Sequence, residues 1–149
     1  MHILMCNDDG ILADGLRHLA SYLSQYYRIT VVAPANEQSA KSHALTTEVP
    51  LKLDACNGED ENPRLYALTG TPSDCMKFGL SYLLTDDMPD LVISGINHGF
   101  NLGSDVLYSG TVSAAMESGF YGIPGLALSV ERYSVERGDE MHPFIHELI

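Results

Sequence analysis

Two adjacent carboxylates, Asp8 and Asp9, follow a short apolar segment at the start of the chain and precede Gly10. Neighbouring carboxylates repel each other, and burial makes both ionised forms costly unless a cation lies between them. Ser39 and Asn97 add a hydroxyl and an amide oxygen after two later predicted strands. Such oxygen ligands suit Mg²⁺, Mn²⁺ or Ca²⁺, whereas zinc prefers nitrogen and sulfur. Taken alone, the two aspartates fit an exposed turn or a helix N-cap better than a metal site. Taken together, the four side chains favour a metal site.

A glycine-rich segment, residues 95–103, separates a predicted strand from a predicted helix. Its glycines recur at every fourth position, which matches neither the dinucleotide-binding fingerprint nor the P-loop. Ser109, Gly110 and Thr111 then open the helix, and their hydroxyls and free backbone N–H groups could bind an anion. Ordinary N-capping by Ser109 or Thr111 explains the same residues equally well. A serine hydrolase is disfavoured because no G-x-S-x-G motif occurs.

The six histidines are scattered along the chain and form no motif. His98 lies within the glycine-rich segment and is the histidine best placed to donate a proton. His142 and His146 are four residues apart, but the sequence shows no partner near them. We therefore expect solvated or core histidines everywhere except at position 98.

The chain is acidic, with 8 Lys and Arg against 20 Asp and Glu in 149 residues and a formal net charge of -12. This charge repels phosphate backbones, so we expect no stable nucleic-acid binding, and any phosphate site would need a local cation. No apolar run reaches the roughly 18 residues of a membrane span, and no signal peptide is visible, so we expect no membrane association. Three widely spaced cysteines fit neither a zinc site nor a disulfide framework, which indicates the reducing cytoplasm.

The elements that must position these residues follow an α/β pattern. Short β-branched or apolar segments predict strands at 2–6, 28–33, 48–53, 64–68, 90–94 and 125–130. Helical periodicity predicts helices at 13–26, at 73–84 with Thr71 or Ser73 as N-cap, and from about 110, with residues 142–149 opening a further one. The first three elements form a βαβ unit, so the sheet should be mostly parallel in a three-layer fold. Polar residues at the carboxyl ends of neighbouring strands should then meet at one edge.

Five separated blocks of sequence together resemble the SurE (survival protein E) family: NDDGI, VVAP followed by a serine, GTPSDC, SGINHGFNLGSDVLYSGTVSAAMES and GLALS. They occur in the family order and cover most of the chain. The resemblance implies a Rossmann-like sheet with helices on both faces and a single SurE-like catalytic core at residues 1–149. It also implies a 5′/3′-nucleotidase, a metal-dependent phosphomonoesterase that uses a metal-activated water to hydrolyse nucleoside monophosphates.

The resemblance further implies roles for individual residues. One divalent cation, Mg²⁺ or Mn²⁺, with Ca²⁺ as a substitute in crystals, would be bound by Asp8, Asp9, Ser39 and Asn97. The catalytic residues would be Asp8 and Asp9, with Asp9 the better candidate to orient or deprotonate the water. Phosphate contacts would come from Asn101, Ser109, Gly110 and Thr111.

The chain departs from the family pattern in two ways. The family usually has Asp-Arg-Asn after the second strand and Ser-Gly at the ligand serine, where this chain has residues 35–37 (Ala-Asn-Glu) and Ser39-Ala40. A basic residue is therefore missing, and Lys41 is its nearest substitute. Family members are also longer, and their C-terminal part builds a hairpin and oligomer contacts. We expect that part to be absent here, and a homodimer or homotetramer to form only where it is present.

Two other functions remain compatible with these residues. A covalent phosphatase would use Asp8 as nucleophile, although the adjacent Asp-Asp pair differs from the Asp-x-Asp spacing typical of that chemistry. A metal- or nucleotide-binding module would keep the ligands but lack catalysis because the C-terminal region is missing.

Overall fold

A six-stranded sheet forms the centre of the protein in a computed structural model that describes residues 1–39 and 41–149. Its order is β3-β4-β2-β1-β5-β6, and every neighbouring pair is parallel except the antiparallel pair β3 and β4. This confirms the predicted, mostly parallel α/β sheet. The strands are β1 (His2–Cys6), β2 (Arg28–Pro34), β3 (Leu53–Ala55), β4 (Arg64–Leu68), β5 (Leu91–His98) and β6 (Gly125–Val130).

Helices cover both faces of this sheet. They are α1 (Asp14–Leu23), α2 (Pro72–Phe78), α3 (Gly110–Gly119) and α4 (Val135–Leu148). Helix α2 continues into a π-helical turn at Gly79–Leu83, and a 3₁₀ segment, Gly103–Tyr108, precedes α3. Within the described residues, no helix has both the length and the apolar character that crossing a membrane requires.

The alternation of side chains along β1 divides the core between the two faces. Ile3 and Met5 pack in a cluster with residues of α1 and α4, whereas Leu4 and Cys6 pack in a second cluster with residues of α2 and α3. Successive side chains of a strand point to opposite faces, so one strand supports both layers. All four of these side chains are fully buried, as expected for the central region of a parallel sheet. The fold therefore has the three layers that the sequence predicted.

Several element boundaries differ from the prediction. Helix α4 begins at Val135, after an N-cap at Ser134, and not near His142. The prediction missed this start because charged residues and Pro143 interrupt the helical spacing of the apolar residues. Strand β5 runs on to His98, because the glycine-rich stretch that suggested a loop pairs with β6 across a register shift between Ser94 and Asn97. The predicted strand at 48–53 is wrong except at its last residue, since β3 is a three-residue edge strand at Leu53–Ala55.

Candidate active site

The turn after β1 is held by Asn7, which lies at the carboxyl end of a central strand of the sheet. Its side chain is fully buried; Oδ1 accepts a hydrogen bond from the Gly10 N–H at 3.1 Å, and Nδ2 donates to the Gly10 carbonyl at 3.0 Å. These two bonds close the turn and thereby set the directions of Asp8 and Asp9. No role was predicted for Asn7, although an asparagine that pairs with backbone near its own position is a common way to fix a turn.

Asp8 joins three elements at this end of the sheet. Thr111, in the first turn of α3, donates a hydrogen bond from Oγ1 to Oδ1 of Asp8 at 2.6 Å. The Asp8 carbonyl accepts from the Gln38 N–H at 2.8 Å, which attaches the segment after β2. A Cβ at Gly110 would lie 2.9 Å from Cβ of Asp8, so α3 approaches this closely only because residue 110 is glycine. The carboxylate is therefore held rigidly and is almost completely buried.

The two adjacent carboxylates create an unfavourable concentration of negative charge. Burial raises the pKa of Asp8, and the hydrogen bond from Thr111 opposes that shift. Burial also raises the pKa of Asp9, and the neighbouring charge of Asp8 raises it further. Glu37 adds negative charge to the surroundings of both groups. A cation between the carboxylates would reverse these effects, because an opposite charge favours the ionised form.

The predicted site residues from separate strand ends meet around one cleft of about 290 Å³. Its walls include Asp8, Ser39, Asn97, Asn101 and Ser109. An adjoining cleft of about 260 Å³ contains Asp9, and His98 lies in the walls of both. This proximity follows from the sheet order, because β1 lies between β2 and β5 and all three run parallel.

Two other depressions among the described residues are lined by different side chains. One of about 550 Å³ lies near Arg28 and Asp87, next to the amino ends of the strands. Ligand sites of α/β proteins usually lie at the opposite edge of the sheet, outside the carboxyl ends of the parallel strands. We therefore assign the candidate site to the clefts around Asp8 and Asp9.

Individual side chains in the cleft differ in how freely they could bind a ligand. Ser39 is exposed and donates from Oγ to Oε1 of Glu37 at 2.6 Å, whereas Ala40 beside it lies outside the described residues. Asn97 donates from Nδ2 to the Gly99 carbonyl at 2.8 Å, so its amide oxygen is the atom that could bind a cation. Asn101 donates from Nδ2 to Oγ of Ser129 at 2.7 Å, which ties it to β6.

The start of α3 shows which of the predicted groups cap the helix. Ser109 is the N-cap, since its Oγ accepts a hydrogen bond from the Val112 N–H at 3.1 Å. The capping explanation offered by the sequence thus applies to Ser109, while the Thr111 hydroxyl bonds Asp8. The N–H groups of the first turn still point to the cleft end of α3, where the helix dipole favours an anion.

This donor set fits a hard divalent cation. The Asp8 carboxylate and the Asn97 amide, from separate strand ends, line one cleft, and the Asp9 carboxylate lines the adjoining one. Both carboxylates have raised pKa values that a cation would lower. Oxygen ligands of this type suit Mg²⁺, Mn²⁺ or Ca²⁺. Ser39 would join the set once its hydroxyl leaves Glu37.

Two further buried acidic residues, for which no role was predicted, hold the segment around residues 43–46 in place. Asp74 is buried and accepts hydrogen bonds from the N–H of Thr71 at 2.9 Å and from the N–H and Oγ1 of Thr46. Glu117 on α3 is also buried and lies 2.7 Å from Nε2 of His43. Both residues occur in the family-like blocks, and for Asp74 the Thr71-x-x-Asp74 spacing of a capping box was a further sequence signal. Together they attach the segment around residues 43–46 to α2 and α3.

Comparison with known proteins shows the family to which the chain belongs. The family model described as Survival protein SurE matches residues 3–149. The 5′-nucleotidase SurE of Thermoanaerobacter sp. (strain X514) is 49% identical over 149 residues, which are 100% of this chain and 58% of that protein. The 5′-nucleotidase SurE of Thermosipho africanus (strain TCF52B) is 52% identical over 139 residues, 91% of this chain and 52% of that protein.

A solved structure shows the same architecture. The crystal structure of the SurE protein from Aquifex aeolicus superposes with a TM-score of 0.82 at 38% identity and covers 99% of this chain and 60% of that one. This chain therefore spans only about half to three fifths of the length of these relatives. With a family model that matches nearly every residue and a relative of the same fold, the chain belongs to the SurE family.

Proposed function

We propose that this chain carries the catalytic core of a metal-dependent phosphomonoesterase that hydrolyses nucleoside 5′- or 3′-monophosphates to nucleoside and phosphate. The observation that carries the proposal is the meeting of Asp8, Asn97 and the start of α3 around one cleft, with Asp9 beside it. Curated relatives at about half identity bear the name 5′-nucleotidase, which supports the substrate class.

The metal ligands in this proposal are Asp8, Asp9, Ser39 and Asn97, and the ion is one Mg²⁺ or Mn²⁺. When bound, the cation would lower the pKa of a water and neutralise phosphate oxygens. Asp8 is the more rigid ligand because Thr111 fixes one of its oxygens. The cation would also provide the positive charge that a chain of net charge -12 lacks for a phosphate substrate.

Asp9 is the residue proposed to act on the attacking water. It is less buried than Asp8, and its Oδ2 accepts only a long, 3.4 Å hydrogen bond from the His98 N–H. A carboxylate oxygen of Asp9 is thus available to orient the water and to accept its proton.

The phosphate group would bind against the start of α3. Backbone N–H groups of Gly110 and Thr111 lie at the positive end of the helix dipole, and Asn101 and Ser109 complete the cleft wall. These donors would stabilise the charge that develops on the phosphoryl oxygens during in-line displacement. Because Ser109 already caps the helix, its Oγ contributes chiefly by fixing the N–H groups of this turn.

We further propose that residues 1–149 form a single SurE-like domain, and that homodimers or homotetramers form in chains that contain the additional C-terminal length of the relatives. The three cysteines of the chain are all free, and two of them, Cys6 and Cys75, are buried. Free cysteines support a reducing compartment, for which we propose the cytoplasm.

Phosphate release from a panel of nucleoside 5′- and 3′-monophosphates tests the function directly. We expect turnover with Mg²⁺ or Mn²⁺, none after chelation, and a loss of at least about a hundredfold in Asp9→Asn, since proton transfer by a positioned side chain contributes about that much. Undiminished release by Asp9→Asn would contradict the assigned role. Nucleotide binding by calorimetry without any release would instead favour a binding module, and a trapped phospho-enzyme on Asp8 would favour covalent catalysis.

A further inference from the structure

A second group of potential metal ligands lies in the seam between α1 and α4. His18 of α1 and Asp139 and His142 of α4 each offer one ligand atom, and these three atoms lie within 4.8 Å of one another. Nε2 of His18 is 3.3 Å from Oδ1 of Asp139. Asp139 and His142 are three residues apart on one helix, so both face the same side of α4. None of the three belongs to the site proposed above.

His142 is the feature that an ordinary packing contact does not explain. Its side chain is fully buried, and neither ring nitrogen has a hydrogen-bond partner among the described residues. Buried polar atoms in proteins are nearly always paired, and an exception calls for an explanation such as a bound ion or water. Burial and the neighbouring His18 lower the pKa of His142 to about 4, so its ring is neutral at pH 7. A neutral imidazole has a lone pair to offer a metal.

His18 is oriented in the way that metal-bound histidines usually are. Its Nδ1 lies 2.8 Å from the hydroxyl of Tyr133, which fixes the ring and leaves Nε2 facing Asp139. A ligating histidine typically uses its second nitrogen for such a hydrogen bond. A Cβ at Gly138 would lie 3.0 Å from Nδ1 of His18 and would clash with the Tyr133 hydroxyl. Glycine at position 138 therefore allows α4 to approach this arrangement.

We propose that His18, Asp139 and His142 bind a divalent transition-metal ion, with Zn²⁺ as the best match, at a site separate from Asp8 and Asp9. Two imidazoles and one carboxylate suit Zn²⁺ with a water as fourth ligand, whereas Mg²⁺ requires oxygen ligands. The ligands come from two helices, so the bound ion would fasten α4 to α1. An ion that binds only this folded arrangement also raises the melting temperature.

Calorimetric titration of the 149-residue chain with Zn²⁺ in excess Mg²⁺ tests the proposal. Excess Mg²⁺ occupies oxygen-ligand sites, and a Cys56→Ser background removes the exposed thiol that could bind zinc on its own. We expect one Zn²⁺ per chain and a melting temperature that rises until the site is saturated. Replacing Zn²⁺ with Co²⁺ should produce the visible absorption of a tetrahedral ion. No Zn²⁺ binding in this background would overturn the proposal.

Variants in the same background locate the ion. Asp139→Asn changes an exposed side chain and should weaken Zn²⁺ binding at least about tenfold, and His18→Gln should abolish it. His146→Gln is the matched control, because His146 lies one turn further along α4 and packs on Tyr22, Tyr26 and Tyr27. Unchanged affinity in Asp139→Asn would overturn the proposal. Binding that survives His18→Gln but disappears in Asp9→Asn would place the ion in the cleft and overturn it as well.

Discussion

The hydroxyl of Thr111 donates a 2.6 Å hydrogen bond to Oδ1 of Asp8, across 103 residues of sequence. Both side chains are buried, and the bond connects the first turn of α3 to the turn after β1. A single contact thus fixes a proposed metal ligand relative to the proposed phosphate-binding helix end. A shift of α3 would therefore move the Asp8 carboxylate together with the phosphate-binding end of the helix.

Replacement of Thr111 by Val tests this coupling. Thr111→Val keeps the branched shape but removes the donor, so Asp8 loses its fixed orientation while the core remains filled. We expect phosphate release to fall about 10- to 100-fold, the usual effect of removing a residue that orients a metal ligand. Steady-state kinetics measure the loss, and circular dichroism shows whether the variant remains folded. Thr111→Ser retains the hydroxyl and should recover most of the activity; equal rates for wild type and Thr111→Val would contradict the proposed role.

The charge of Asp9 should lower the stability of the metal-free protein. Burial and the charge of Asp8 raise its pKa, so its contribution to stability is lost as the pH rises through that pKa, and the ionised group is unfavourable at pH 7. We expect Asp9→Asn to increase the free energy of unfolding in chelator by about 1 kcal/mol, the common size of a single-residue effect. The same variant should lose the stabilisation that Mg²⁺ gives to the wild type.

Urea denaturation with and without Mg²⁺ measures both effects of Asp9→Asn. Asp60→Asn is a suitable control, because Asp60 is exposed and lies in a different part of the chain. A metal-free Asp9→Asn protein that is less stable than the wild type would show that the carboxylate is stabilising without a cation.

Asp74 should be important for folding and not for chemistry. It completes a capping box with Thr71 at the start of α2 and also accepts hydrogen bonds from Thr46. Asp74→Ala leaves these donors unpaired, so we expect a loss of about 2 kcal/mol in the free energy of unfolding. Urea denaturation measures it, with exposed Asp54→Ala as control. A loss no larger than that of the control would refute the capping and anchoring role.

The convergence of the site could be predicted because it depends on local patterns and on one rule of topology. Buried segments at the positions of β1, β2 and β5 indicate parallel strands, and parallel strands bring their carboxyl ends to one edge. Asp8 and Asn97 therefore met as expected around one cleft. The sequence blocks of the family indicated the same residues independently.

Contacts between distant elements could not be predicted, because nothing local encodes them. The sequence left His142 without a partner, whereas the structure places it beside His18 of α1. The position depends on the start of α4 at Val135, which the charged residues and Pro143 concealed. Likewise, the glycine-rich stretch indicated a loop, but pairing with β6 extends β5 through it to His98. In each case tertiary packing outweighed the local preference.

His2 should make the stability of the protein depend on pH. Its ring is buried, with Nδ1 3.2 Å from the Asp87 carbonyl and Nε2 2.9 Å from Oγ1 of Thr30. Burial, followed by the charge of Arg28, lowers its pKa, so the unfolded chain binds a proton more readily than the folded one. The contribution of neutral His2 is fully present above its unfolded pKa of about 6.5 and is lost as the pH falls below it.

Replacement of His2 by Gln should therefore flatten the decline in stability at acidic pH. Urea denaturation of wild type and His2→Gln in chelator, at several pH values from 8 down to 5, measures the two slopes. We expect the free energy of unfolding of the wild type to fall more steeply below about pH 6.5, because only the wild type must keep a neutral imidazole at position 2. Between pH 7 and 8, where His2 is neutral in both states, the two curves should run parallel. Identical slopes below pH 6 would show that His2 titrates alike in the folded and unfolded chain.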